Sequence, residues 1–193
     1  MLLLEPQYLL KIIIKILKKM KKKEKWGNRK WKEENKDLEA IIQVTIAAFE
    51  NHPFSRQTEH FIINALRAAG ALTISLVAEI NGQVVGHIAF SPIAISDGTT
   101  NWYGMGPVSV LPDHQKQGIG KALVNEGLSL LKGMNAQGCA LVGPPEYYNK
   151  FGFKNHPKMI HEGIPQEIFL VLPFSEKVPK GIVTFHEAFK AES

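Results

Sequence analysis

A chain of 193 residues with 45% hydrophobic and 21% charged residues is long enough for one well-buried core, or at most two very small ones. Its lone cysteine, Cys139, excludes an intrachain disulfide framework and a Cys-rich zinc site, and no run approaches the roughly 20 apolar residues of a spanning helix. The formal charge of +5 is unevenly placed: residues 1–36 hold 12 Lys/Arg and 4 Asp/Glu, a balance of +8, which leaves −3 for the rest. The basic character therefore belongs to a tail, and the mildly acidic body offers nucleic acid no platform.

Residues 1–25 read as an N-terminal extension, and residues 26–193 as a single domain. Within the extension Lys11, Lys15, Lys18, Lys19 and Lys22 share one helical face, with Ile12, Ile13, Ile16 and Leu17 on the other. Such a basic amphipathic helix suits weak contact with an anionic membrane surface. Two plainer readings stand beside it, a disordered tail and sequence upstream of a start at Met20. The charges follow the apolar run and no small-residue cleavage site comes after it, unlike a secretory signal, and a cytoplasmic location is expected.

Along the body, residues 27–34 suit a first strand around Trp31. Asn35 or Asp37 can cap a helix whose apolar positions Leu38, Ile41, Ile42, Thr45, Ile46 and Phe49 recur at helical spacing. Asn51-His52-Pro53 ends it, and a second helix runs from Ser55 to Ala69 with Gly70 as its stop. The period then changes. Residues 72–79 are β-branched and apolar, Asn81-Gly82 is a hairpin turn, and residues 83–95 form a second strand run. Asp97-Gly98 turns the chain into a third strand, 102–110. A helix from Gly118 to Lys132 follows, and the crossover it makes places residues 139–142 parallel to the third strand. A short Tyr-rich helix, a turn at Gly152-Phe153 and a strand over 167–172 complete an α+β fold, a mixed sheet flanked by helices.

The segment richest in chemistry runs from Val108 to Lys121, from strand through a glycine-bearing loop into a helix. Glycines admit a ligand close to the backbone, and the free N–H groups and positive dipole end of the new helix attract anions. A P-loop does not fit, since Ala122, which follows Gly120-Lys121, is neither Ser nor Thr. The dinucleotide fingerprint fails at Leu123. Gln115, Gly118 and Gly120 do fill a Q-x-x-G-x-G pattern.

That pattern after a strand resembles the signature of the GNAT superfamily, acetyl-CoA-dependent N-acetyltransferases, and is nearest to its YhbS-like subgroup. Residues 143–153, GPPEYYNKFGF, are similar to the family's YYxxFGF element, and residues 86–92, GHIAFSP, to the subgroup's central strand. The resemblance spans about residues 28–189. It implies a GNAT-like fold, a central, mostly antiparallel sheet with one splayed parallel pair, and it implies acetyl-CoA as cosubstrate and a small-molecule or peptide amine as acceptor.

By the same resemblance, backbone amides from Gln115 through Lys121 (with Lys116, Gln117, Gly118, Ile119 and Gly120 between) would hold the pyrophosphate. Lys116 and Lys121 would add charge, and Val108, Ser109 and Val110 would pair with the pantetheine arm as a strand edge does. An amide of that strand would polarise the thioester carbonyl. Tyr148 occupies the position of the acid that protonates the departing thiolate, while Tyr147 reads as a packing residue. Pro144 stands where the subgroup often has Asp, so no role is carried over there. The general base is open among Glu79, Glu50, His52 and His87. Two histidines, His156 and His161, without carboxylate or thiolate partners do not make a metal site, and no metal is assigned. Cys139 reads as a small core residue. The expected activity is acetyl transfer to a primary amine by direct attack; a non-catalytic module that senses CoA or an acyl-CoA is the competing reading.

Overall fold

The computed structural model describes residues 32–53 and 55–193; the basic extension, the expected strand as far as Trp31, and Phe54 lie outside the described residues. Lys32 bridges to Leu76 in antiparallel fashion, as a first strand would. A 3-10 turn over Asn35–Asp37 leads into α1 (Leu38–Phe49), and the buried Asp37 carboxylate accepts the Glu34 N–H at 2.8 Å, closing the helix start. Helix α2 (Glu59–Ala68) begins four residues later than the sequence suggests. The Ser55 hydroxyl bonds the Glu59 carboxylate and Gln57 adopts a positive φ of 61°, so residues 55–58 form a turn that precedes the helix.

The sheet contains β1 (Ile74–Ile80), β2 (Gln83–Ile95), β3 (Trp102–Val110), β4 (Gly138–Val142), β5 (Met159–Ile160), β6 (Phe169–Pro173) and β7 (Gly181–Phe185), in the order β5-β7-β2-β3-β4-β6 with β1 also on β2. Asn81 and Gly82 both take positive φ, as a two-residue hairpin turn that follows the twist of its strands requires. The thirteen-residue β2 pairs with β1 along its first part and with β7 only at Ile93, Ala94 and Ile95. Most pairings are antiparallel; β3–β4 and β5–β7 are parallel.

Helices cover both faces. Between β3 and β4 runs α3 (Ile119–Gly133), whose Leu123, Val124, Leu128 and Leu131 are buried with Leu76, Ile88 and Phe90 of the sheet. On the other face Ile41 and Val44 of α1 and Ile63 of α2 are buried with Val77 and Val84. The chain thereby forms the mixed, helix-flanked α+β sheet expected from its periodicities. Among the described residues no helix is long and apolar enough to cross a membrane.

The short β3–β4 pairing positions the cleft. The β3–β4 ladder holds only Trp102–Gly138, Tyr103–Cys139 and Gly104–Ala140, after which β4 stays with β6 and β3 stays with β2. From Met105 onward the edge of β3 that faced β4 has no strand beside it.

Candidate active site

A cleft of about 1300 Å³ opens where the two strands part. Its walls come from β3, the loop into α3, the segment from Val142 through α4 (Pro145–Tyr148), and, on the opposite side, α1, α2 and the C-terminal residues.

The β3 edge can be read residue by residue. The Leu111 N–H donates to the Val85 carbonyl at 2.9 Å, and Ser109 lies opposite His87 two residues earlier in the same register. In an antiparallel ladder this alternation turns the backbone groups of residues 109 and 111 toward β2, and those of 108 and 110 toward the vacated edge. Val108 and Val110 both line the cleft. Ser109 does not: its backbone faces β2, and its buried hydroxyl donates to the Thr45 hydroxyl of α1 at 3.2 Å. The expectation that Ser109 pairs with the pantetheine arm is therefore not what this geometry offers.

The loop into α3 sorts in a similar way. Gly118 caps the helix with φ of 90°, a left-handed conformation that a side chain resists. The first intrahelical bond runs from the Ala122 N–H to the Gly118 carbonyl, so the amides of Ile119, Gly120 and Lys121 precede it and have no partner within the helix. Gln115 differs from its expected role. Its own amide donates to the Pro112 carbonyl at 3.1 Å and its side-chain amide to the Val110 carbonyl at 3.1 Å, so it braces the loop against β3. Gln117 does likewise, its side chain bonding the Asp113 carbonyl at 2.9 Å outside the cleft lining. Lys116, Gly118, Ile119, Gly120 and Lys121 all line the cleft.

The loop is covered by α4. A methyl at Gly120 would sit 2.7 Å from the Tyr147 hydroxyl, which places that phenol over the first turn of α3. The Lys150 ammonium rests 3.6 Å from the Tyr147 ring centroid, adding a third lysine to Lys116 and Lys121 along this wall. Sequence reasoning assigned Tyr147 to packing and passed over Lys150. A short helix shows no periodicity from which to tell which tyrosine faces which wall.

Tyr148 points inward from the same turn. Its ring meets Tyr147 edge-on at 4.9 Å and Phe153 at 6.2 Å, and lies so close to Gly143 that a methyl there would sit 2.5 Å from Cε2. Burial, assisted by Tyr147 and Cys139, pushes its phenol above the ordinary range, so at neutral pH the group is a protonated donor. Cys139 itself is fully buried and its thiol is also pushed up by burial, which makes it inert.

The candidates for general base separate by position. His52 lines the cleft; Glu50, Glu79 and His87 do not. His87 is fully buried, with Nε2 2.8 Å from the Ser75 hydroxyl and 3.7 Å from Glu33, whose carboxylate also receives Arg67 at 3.1 Å. Burial raises the Glu33 pKa, but the nearby His87 ring, the hydrogen bond from the Ser75 hydroxyl and the Arg67 charge outweigh it and hold the carboxyl at about 2. The cluster ties the N-terminal segment to β1, β2 and α2 and belongs to the fold, not to the cleft. His156 and His161 are engaged separately: the Lys158 N–H donates to His156 Nδ1, while His161 bonds the Val183 carbonyl.

The end of the cleft beyond Tyr148 is apolar, with Phe49, Ile62, Met105, Phe185 and Phe189 among its walls. Its charged groups are constrained: Arg56 pairs with Glu192 at 3.5 Å, and the Glu59 carboxylate accepts from the Ser55 hydroxyl at 2.7 Å.

Comparison with known proteins places this arrangement. The family model described as an acetyltransferase (GNAT) domain matches residues 72–155, a span that includes the β3 edge, the loop, α3 and both tyrosines. Over 151 residues the chain is 31% identical to the uncharacterized N-acetyltransferase YhbS of Escherichia coli strain K12, covering 75% of this chain and 90% of that one. It is 30% identical to the uncharacterized N-acetyltransferase YjhQ of the same strain over 121 residues, 61% of this chain and 65% of the other. Among solved structures, a GNAT family acetyltransferase from Brucella melitensis in complex with acetyl-CoA aligns with a TM-score of 0.73 and 49% identity over 82% of this chain and 95% of that one. YhbS from Escherichia coli in complex with CoA aligns with a TM-score of 0.77 and 27% identity over 88% and 97%.

Proposed function

This chain belongs to the GNAT family of acetyltransferases, and on that premise we propose that its cleft transfers the acetyl group of acetyl-CoA to a primary amine by direct attack. The enzyme is an acyltransferase and acetyl-CoA its cosubstrate. One observation carries the reading of the site: the unpaired edge of β3, the bare amides of α3 and the inward phenol of Tyr148 share one cleft.

The backbone groups of Val108 and the N–H of Val110, whose carbonyl already receives Gln115, are offered to the pantetheine arm, as those of an edge strand are to an added one. The amides of Ile119, Gly120 and Lys121 face the pyrophosphate, with Lys116, Lys121 and Lys150 supplying positive charge and Tyr147 covering the turn. A β3 amide that meets the thioester carbonyl would stabilise the negative charge developing on its oxygen. Tyr148, kept protonated by its surroundings, gives the leaving sulfur its proton. The acceptor enters from the apolar side, and a cytoplasmic setting is part of the proposal.

The test is release of free CoA thiol against a panel of primary amines, with Tyr148→Phe assayed in parallel. The expected result is turnover by the native chain and a loss of about 100-fold in kcat for the variant, with cofactor affinity unchanged. Tight acetyl-CoA binding with no turnover on any amine would instead make the protein a sensor.

A further inference from the structure

We infer that His161 is the general base that takes the proton from the attacking amine, an inference that rests on the acetyl-transfer reading above. The histidine lies in the loop before β6, in the stretch that bears no resemblance motif, and its ring lines the cleft. Its Nδ1 is 2.9 Å from the Val183 carbonyl oxygen. A carbonyl only accepts, so the proton of the neutral ring sits on Nδ1 and Nε2 presents a bare lone pair.

The ring's place is fixed by contacts that lead back to the splay. His161 meets Phe185 edge-on at 5.1 Å and Phe169 at 5.8 Å. Phe185 in turn lies over Gly104, where a methyl would come within 2.6 Å of its Cε1. Gly104–Ala140 is the last rung of the β3–β4 ladder. The imidazole therefore stands one aromatic ring away from the point where the strands separate.

The other groups around this end of the cleft are less suited. Glu192 is paired with Arg56, and Glu59 accepts from the Ser55 hydroxyl through both oxygens, at 2.7 and 2.9 Å. His52 also lines the cleft, but its ring rests on Phe49 of α1 at 5.6 Å, whereas His161 rests on Phe185, the ring that covers the last β3–β4 rung. Tyr148 is the acid of the reaction. Within the loop, Glu162 and Glu167 lie outside the cleft lining.

The step balances with these two side chains. The amine nitrogen forms a bond to the acetyl carbon and passes one proton to His161 Nε2. The carbon–sulfur bond breaks, and the sulfur takes a proton from Tyr148, giving amide and free thiol. The proton on His161 returns to Tyr148 through solvent.

The experiment uses the full chain with acetyl-CoA and three amines, 2-phenylethylamine, spermidine and a lysyl peptide, from pH 6 to 10. His161→Asn keeps an N–H donor for the Val183 carbonyl and removes the base. The inference expects kcat/KM for any amine the native chain uses to fall about 100-fold or more and, once each value is divided by the unprotonated fraction of the amine, the acid-side fall that remains in the native chain to be absent from the variant, with acetyl-CoA affinity unchanged. A variant within threefold of the native rate and with the same pH profile overturns it. If the native chain uses none of the three amines, the acetyl-transfer reading fails for these acceptor classes and takes the inference with it. Long-range nitrogen-15 spectra of the histidine rings give an answer independent of turnover: Nδ1 protonated and Nε2 bare supports the inference, and the opposite tautomer overturns it.

Discussion

Replacing Glu33 by Gln tests whether the buried cluster at the N-terminal edge stabilises the fold electrostatically. The carboxyl is held at about 2 against an ordinary 4.5, which at 1.36 kcal/mol per pH unit sets a ceiling of about 3 kcal/mol. The side chain keeps 16% of its surface in water, and solvent screening lowers the expected contribution to about 2 kcal/mol. The sign follows from the direction of displacement. A carboxyl with a depressed pKa contributes fully above 4.5, and the contribution is lost as pH falls toward 2. Urea unfolding, followed through the emission of the buried Trp102, should show Glu33→Gln less stable by about 2 kcal/mol at pH 7, with more than half of that gap gone by pH 3. A gap below about 0.5 kcal/mol at pH 7, or one that does not change with pH, would refute the electrostatic account and leave Glu33 a packing residue.

Two further substitutions probe the cleft. Gly118→Ala forces a side chain into the left-handed cap of α3, at a cost of about 1–2 kcal/mol, and should weaken acetyl-CoA binding about tenfold by calorimetry; unchanged affinity would mean that this turn does not hold the diphosphate. Gly143→Ala pushes on the Tyr148 ring and should lower kcat by about 10-fold or more while leaving the cofactor dissociation constant within threefold, and a drop in affinity with kcat intact would reverse the assignment of that wall.

Local chemistry made much of this molecule readable from its residues. The apolar runs of 72–79 and 83–95 with the Asn81-Gly82 pair between them specify a hairpin, and the apolar face of 119–131 specifies a helix, because each signal is complete within the segment that carries it. Strands β5 and β7 were not read. The first has two residues, and the second, GIVTF, does carry a β-branched run but follows Pro179-Lys180 and finds its partner about ninety positions earlier in β2. The same limit applies at the site. The order strand, loop, helix announced a phosphate cradle, but which residues of β3 face it depends on register with β2, and that register removes Ser109. Gln115 matches the motif yet serves the loop's own carbonyls. His161 reaches the cleft only through β7, so no window of sequence around it could reveal its neighbours.

The length of β2 has a consequence for how the walls of the cleft are supported. Its first eight residues carry the hairpin and, through β3, the edge that lines the cleft, whereas its last three hold β7 and with it the Phe185 wall. Two walls of the cleft thus hang from opposite ends of one rod. A substitution confined to β7 alters one wall of the cleft without touching the β2 residues that pair with β1.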